Sequence, residues 1–441
     1  MENTLTAELQ ERLVSYVQKL AEEEAYTQAA AAAKRLEAAA AFEKLGIPGP
    51  KLEDWKYTDM RDVAQLDPLA GAPVIDVSTI DLEPYRIADL DVAELVFVNG
   101  RFAPALSREW HTGNQFAGSL ATARLQMPEL LQAHAGQYAR EEQEGFTALN
   151  GMLAQDGFVI HAGKNEIWDK TVVIYHLATG TQERSWTNTR NLIVAEAGSQ
   201  LTVIEKYIGL SPVFDNDVLE IALGQQANLQ HYKLQTRYGD AWHVGTTRVN
   251  QARDSQYYNA TISWSGGRIR NNLQAVHTGQ NCQTYFYGLY LLDRDHLIDN
   301  HTLVDHAMPN CESHELYKGI VGADGKAVFN GKILVRPDAQ KTNAYQSNAN
   351  ILLTDSGTVN AKPELEIFAD DVKCSHGATT GQLNMDELFY LKARGIAEDK
   401  ARTILLTAFA GEVVEQIRIP ALRDDLLEQL MQELHRLQIE F

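Results

Sequence analysis

The chain has 441 residues, 44% of them hydrophobic, and a formal net charge of −20. That length supports a large buried core but not an array of many domains, and so acidic a surface argues against nucleic acid or anionic lipid as a main partner. Three cysteines, Cys282, Cys311 and Cys374, are too few for a disulfide framework and point to a reducing compartment.

The amino terminus, MENTLTAELQERLVSYVQKL, is polar and acidic from its second residue and has no apolar export-signal core. No run of about 18 apolar residues follows anywhere, so a soluble cytoplasmic protein is expected. Over the first 45 residues, rich in Ala, Glu, Leu, Gln and Lys, apolar positions recur at three- and four-residue steps. Two helices are predicted there, ending near Gly46 with Pro48 behind it. The polar, aromatic segment KLEDWKYTDMRD spans 51–62, LVFVNGRF reads as a short hairpin, and a second helical stretch is expected at about 119–155.

From about residue 156 the pattern changes to short runs of β-branched and aromatic residues, as in GFVIHAG, TVVIYHLATG and VLEIALGQQANLQHYKLQ, punctuated by Gly, Asn, Asp and Gln. The turns resemble one another. AGSQL reaches Leu201, QQANL reaches Leu229 and RDSQY reaches Tyr257, an offset of 28 residues each time, with a weaker echo at GQNCQT. A steady offset of this size suggests stacked rungs of about two strands each. A parallel β-helix fits; a sandwich or barrel, with hairpin spacing, fits less well. From Gln382 helical periodicity returns, with Asn384 as N-cap, Glu387 three residues on, and Gly395 as C-cap. A long amphipathic helix ended by Pro420 and a third helix complete the chain. The expected organisation is a mostly helical region over 1–155, a mainly β core over 156–378 and a helical domain over 379–441.

No phosphate-binding loop, dinucleotide fingerprint, serine elbow or H-E-x-x-H occurs, so any ATP chemistry belongs to another chain. C-x-x-C is absent too, which leaves no sign of a closed structural zinc site. HTLVDHAMPNCESHE collects His301, His306, Cys311 and His314, a metal-ligating set by residue type whose spacing matches no known finger or ribbon.

ELEIFADDVKCSH reads as one extended segment bounded by Pro363 and Gly377. In a strand, residues two apart share a face, so Cys374 and His376 point the same way with Cα atoms about 6 to 7 Å apart. Lys362 and Lys373 nearby would favour the thiolate. Two ligands do not complete a tetrahedral site, so such a site is open, transient or finished by another chain. The alternative is a buried free cysteine beside a hydrogen-bonded histidine, and the residues alone leave both open.

DDVKCSHGATTGQLNMDELFYLKARGI, the HTLVDHAMPNCESHELYKGIV segment, the run from VFNGKILVRPDAQKTNAYQSNANILLTDSG through to CSHGA, and EDWKYTDM together resemble the SufB/SufD family of the SUF iron–sulfur cluster assembly machinery. The resemblance is specific over about 290–420. The Cys-Ser-His-Gly-Ala-Thr form, in place of the His-Glu-Ala-Thr of the SufB branch, places it nearer the SufD branch. The resemblance implies a right-handed parallel β-helix between two helical regions. It implies a non-catalytic assembly subunit that pairs with a SufB-like β-helix protein, each of the two holding a SufC-like ABC-type ATPase. Cys374 and His376 would lie at the SufB interface and help build a nascent cluster, with iron or a cluster present transiently in the complex and none held stably by the isolated chain. The C-terminal helices would dock the ATPase, and Leu405, Phe409 and Val413, at four-residue steps on one helical face, are the candidate docking residues; that face packs on the β-helix in the alternative case. A homodimer in isolation is compatible with this. Two other readings stand beside it: a β-helix carbohydrate-active enzyme such as a polysaccharide lyase, and a self-contained metalloprotein built on His301, His306, Cys311 and His314.

Overall fold

The 28-residue offset becomes a physical register in the computed structural model, which describes residues 7–25, 29–66, 73–180, 183–264 and 266–439. Leu229 lies beside Leu201 on one neighbouring strand and beside Tyr257 on the other, all in parallel. Tyr257 in turn lies beside Thr284, the fourth echo. Successive strands alternate between two ten-stranded sheets, so each rung contributes one strand to each sheet and pairs with the rungs before and after it. The fold is a parallel β-solenoid flanked by helices.

The corners explain why the turns look alike. Gly198, Gln226, Asp254, Asn281, Asn310 and Lys341 all take positive φ, each two residues before a strand of the first sheet. Gly, Asn and Asp enter that left-handed conformation at least cost. The residue that follows each one, Ser199, Ala227, Ser255, Cys282, Cys311 or Thr342, is small and buried. Two of the three cysteines are therefore corner residues, stacked on consecutive rungs, with the Cys282 amide 3.4 Å from Cys311 Sγ.

The sheets begin before residue 156. Val92–Val98 pairs in parallel with Thr171–Ala178, and it forms the expected hairpin with Arg101–Phe102 across Asn99 and Gly100, both at positive φ. Between the sheets lies an apolar core that includes Phe158, Ile174, Val203, Leu229, Ile269 and Phe286.

Helices cover the outer faces. The two N-terminal helices, Ala7–Ala25 and Ala29–Leu45, end at Gly46 with φ of 62°, as the sequence predicts. Leu5 and Thr6, where the apolar repeat begins, lie outside the described residues. The second expected stretch is broken into Leu120–Gln126, Pro128–His134 and Gly145–Leu153. The EDWKYTDM segment ties this region to the second sheet. Trp55 is buried against Phe146, the Arg270 guanidinium stacks 3.8 Å from the Trp55 ring, and Thr58 Oγ1 donates to Asp299.

At the other end, Asn384 caps Met385–Ala393 by accepting from the amides of Asp386 and Glu387, and Gly395 ends it at φ of 85°. Glu398–Val414 and Pro420–Ile439 lie over the first sheet. Leu422, Leu426, Leu430, Leu434 and Leu437 form one buried stripe against it, each contributing roughly 2 kcal/mol by burial. Among the described residues no helix is long and apolar enough to cross a membrane.

Candidate functional site

The solenoid ends in a rung made of Thr358–Ile367 and Lys373–Gly381, the last strands of the two sheets. Each is paired on one side only, so each offers a free row of backbone donors and acceptors. This corrects the reading of ELEIFADDVKCSH as one extended segment. A corner at 368–372 divides it between the sheets. Pro363 is not its boundary but sits inside the first strand, beside Gly331, where an edge position tolerates the missing N–H. Gly377 likewise lies within the second strand, beside Ser347.

Cys374 and His376 do share a face. Cys374 lies beside Ala344 and His376 beside Gln346, and both of those neighbours are buried between the sheets. The pair therefore occupies the inward row of the terminal rung. The two differ in surroundings. Cys374 is half-buried and packs with Ile333, Val335, Ala339 and Leu365. Burial pushes its thiol up, against a hydrogen bond from the Ala344 backbone. The expected lysine-stabilised thiolate is thus not what the fold provides: Lys362 is paired with Glu53 at 3.0 Å and Glu364 at 2.7 Å instead. His376 is exposed at the open end.

A groove of about 630 Å³ runs from this rung along the first sheet. On its outer side Tyr285, His314 and Tyr345 form a ladder, with rings 5.6 and 5.4 Å apart. The same groove touches Glu315, Gln346 and His376. Glu315 lies fully buried, and burial pushes its carboxyl up to about 7, opposed by the Thr302 hydroxyl and by the Gln346 amide nearby. Thr302 Oγ1 donates to it at 2.6 Å.

The four residues of HTLVDHAMPNCESHE do not come together. His306 points inward, with Nε2 2.9 Å from Ser313 Oγ, and burial lowers it to about 3. His301 pairs with Asp299 at 3.0 Å, His314 stands in the outer ladder, and Cys311 fills a corner. Alternation of inward and outward positions along the strands separates them, so the self-contained metal site read from them is not formed. Among the described residues no three His, Cys, Asp or Glu side chains gather as metal ligands.

The docking stripe also needs correction. Val413 is fully buried and Phe409 packs on the same cluster, its ring 4.4 Å from Lys318 Nζ, because this face of the helix covers Leu289, Leu291 and Ile320. Leu405 is half-buried. Among the described residues, the large apolar side chains that remain exposed on these helices include Met385, Phe389, Tyr390 and Ile404 on the first two, with Phe389 at 72%, and Met431 on the last. Sequence reasoning missed them, although Met385 and Phe389 stand four residues apart. It also missed Glu315 and Gln346, whose link to His376 is visible only in register: the three lie side by side on consecutive rungs.

Comparison with known proteins gives matches over nearly the whole chain. Residues 176–409 match the family described as SUF system FeS cluster assembly, SufBD core domain, and residues 10–174 match the SufBD protein N-terminal region. The chain is 33% identical over 405 residues to an iron–sulfur cluster assembly SufBD family protein of Synechocystis sp., covering 89% of each chain. It is 31% identical over 397 residues to the iron–sulfur cluster assembly protein SufD of Escherichia coli, covering 89% of this chain and 90% of the other.

Proposed function

The chain belongs to the SufBD family of iron–sulfur cluster assembly proteins, and from that premise we propose that it is a non-catalytic assembly subunit that helps iron or sulfur enter a nascent cluster at a joint with a SufB-like β-helix protein. Family membership displaces the carbohydrate-enzyme reading. One observation carries the proposal: the rung that bears Cys374 and His376 on its inward face is the rung whose two strands each have a free edge. A second β-helix can extend both sheets there by main-chain hydrogen bonds, which would bring its own side chains to the same inward row. Two ligands from this chain then need completion from the partner, and iron or the cluster is cargo of the joint rather than a resident cofactor.

The ATPase partner falls to the C-terminal helices. Met385, Phe389, Tyr390 and Ile404 form the apolar surface that a SufC-like ABC-type ATPase would cover, in place of the buried stripe at Phe409 and Val413. The test is co-purification of the tagged chain with co-expressed SufB-like and SufC-like proteins. A stable complex is expected. Ala378→Pro, which removes a backbone donor from the free edge of the last strand, should release the SufB-like protein and keep the ATPase. Full retention of both, or capture of neither by the unaltered chain, would overturn the proposal.

A further inference from the structure

Gln346 and Glu315 occupy the inward positions one and two rungs below His376. Both are 3% exposed. Neither amide atom of Gln346, nor Oε1 of Glu315, makes a well-formed hydrogen bond, although the Gln346 amide stands close enough to Glu315 to lower its carboxyl. Buried polar atoms nearly always find good partners, so a column paired this loosely beside the groove points to a role for its polar groups. The column is also built with care for the amide. A Cβ at position 331 would come within 2.4 Å of Gln346 Nε2, so Gly331 keeps the space the amide occupies. Thr302 Oγ1 fixes one oxygen of Glu315 and leaves the other to face the row.

We propose that Gln346 and Glu315 are positioning residues that set which ring nitrogen of His376 carries the proton. With Glu315 ionised, Gln346 Nε2–H donates to Glu315 Oε1, and Gln346 Oε1 accepts the N–H of the near ring nitrogen of His376. The far nitrogen then presents its lone pair to the open end, which is the form in which imidazole ligates iron. With Glu315 protonated, its O–H donates to Gln346 Oε1 and the amide turns over. Its NH₂ now faces the imidazole, the near nitrogen must accept, and the proton moves to the far nitrogen, which can no longer ligate. One proton taken from solvent onto Glu315 is read out as a change of tautomer, with no heavy-atom bond made or broken.

The groups facing Glu315 leave this to the column. Thr302 and Gln346 carry no charge, Phe286 on the neighbouring strand is apolar, and the Tyr317 phenol on its own strand is held neutral by burial and by the Glu315 charge. The carboxyl titrates near 7, so the change of tautomer falls near neutrality.

This inference rests on the reading of His376 as part of an iron or cluster site and deepens it. The test compares Gln346→Leu, Glu315→Gln and His376→Ala in the full chain with its partners. Cluster supply is scored in a strain that depends on the chain, beside melting temperature. The ¹⁵N spectrum of histidine-labelled protein reports the tautomer, the His376 signal being the one lost in His376→Ala. Gln346→Leu should lower supply roughly 10-fold, the usual scale for removing an outer partner of a ligating histidine, at unchanged melting temperature, and should turn one His376 tautomer into a mixture. Glu315→Gln should flatten the dependence of cluster assembly on pH between 6 and 8. Full supply from Gln346→Leu beside a deficient His376→Ala overturns this inference alone. So does an unchanged ¹⁵N spectrum, or a loss that only follows melting temperature. Full supply from His376→Ala overturns the underlying reading, and this inference with it.

Discussion

Replacing Glu315 by Gln should stabilise the protein in mild alkali and leave it unchanged in acid. In the unfolded chain the carboxyl titrates at its ordinary value of 4.5; in the folded chain burial raises it to about 7. Below pH 4.5 the group is neutral in both states, and the folded chain keeps its full stability. Between 4.5 and 7 the unfolded chain releases the proton while the folded chain retains it, so stability falls as pH rises. Once pH passes 7 the accumulated loss is about 3 kcal/mol, at about 1.4 kcal/mol for each pH unit crossed between the two values. Glutamine keeps the shape and the bond to Thr302 but never ionises, so the variant escapes that loss. Urea unfolding followed by tryptophan fluorescence, at pH 4.5 and pH 8 for both proteins, measures it. The curves should nearly coincide at pH 4.5 and separate by about 3 kcal/mol at pH 8, with the variant the more stable. A gap of the same size at both pH values, or a variant weaker at pH 8, would refute the placement of Glu315 as a buried carboxyl without a counter-charge.

Other outcomes follow from the same geometry. Val413→Asp puts a charge into the fully buried contact between the C-terminal helices and the first sheet and should cost about 3 kcal/mol or more, read by thermal melting. Phe389→Ser on the exposed surface should leave the melting temperature within a degree or so, since surface changes are usually within about 0.5 kcal/mol, and yet weaken ATPase capture in a pull-down. Anaerobic reconstitution of the isolated chain, followed by iron and sulfide analysis, should give no stoichiometric cluster. A stable cluster insensitive to Cys374→Ser and His376→Ala would count against a shared site.

What the sequence made legible depends on how local its cause is. The rung offset could be read because each corner repeats a left-handed residue followed by a small one, from Gly198 and Ser199 through Lys341 and Thr342. The shared face of Cys374 and His376 could be read because strand alternation is local. The corner at 368–372 escaped because, although it holds Asp370 and Asp371, it breaks the pattern of the other corners: none of its residues takes the left-handed conformation. The lysine-stabilised thiolate failed for a different reason. Sequence neighbours of Cys374 are charged, but its spatial neighbours, Val335 on the rung below and Leu365 across the same rung, are apolar. Phe409 and Val413 show the same limit: periodicity finds an apolar stripe without saying whether a sheet or a partner covers it. Glu315 and Gln346 needed the register itself.

His376→Ala tests the account most directly. One exposed side chain at the end of the solenoid carries little of the fold or of an interface built on strand edges. The variant should therefore give wild-type complex yield and melting temperature, while cluster supply in a strain that depends on this chain falls sharply. Cys374→Ser should be equal or milder, since burial raises its thiol and so disfavours the thiolate. Normal cluster supply from the His376→Ala protein, at normal complex yield, would contradict the assignment of the terminal rung as the site of assembly.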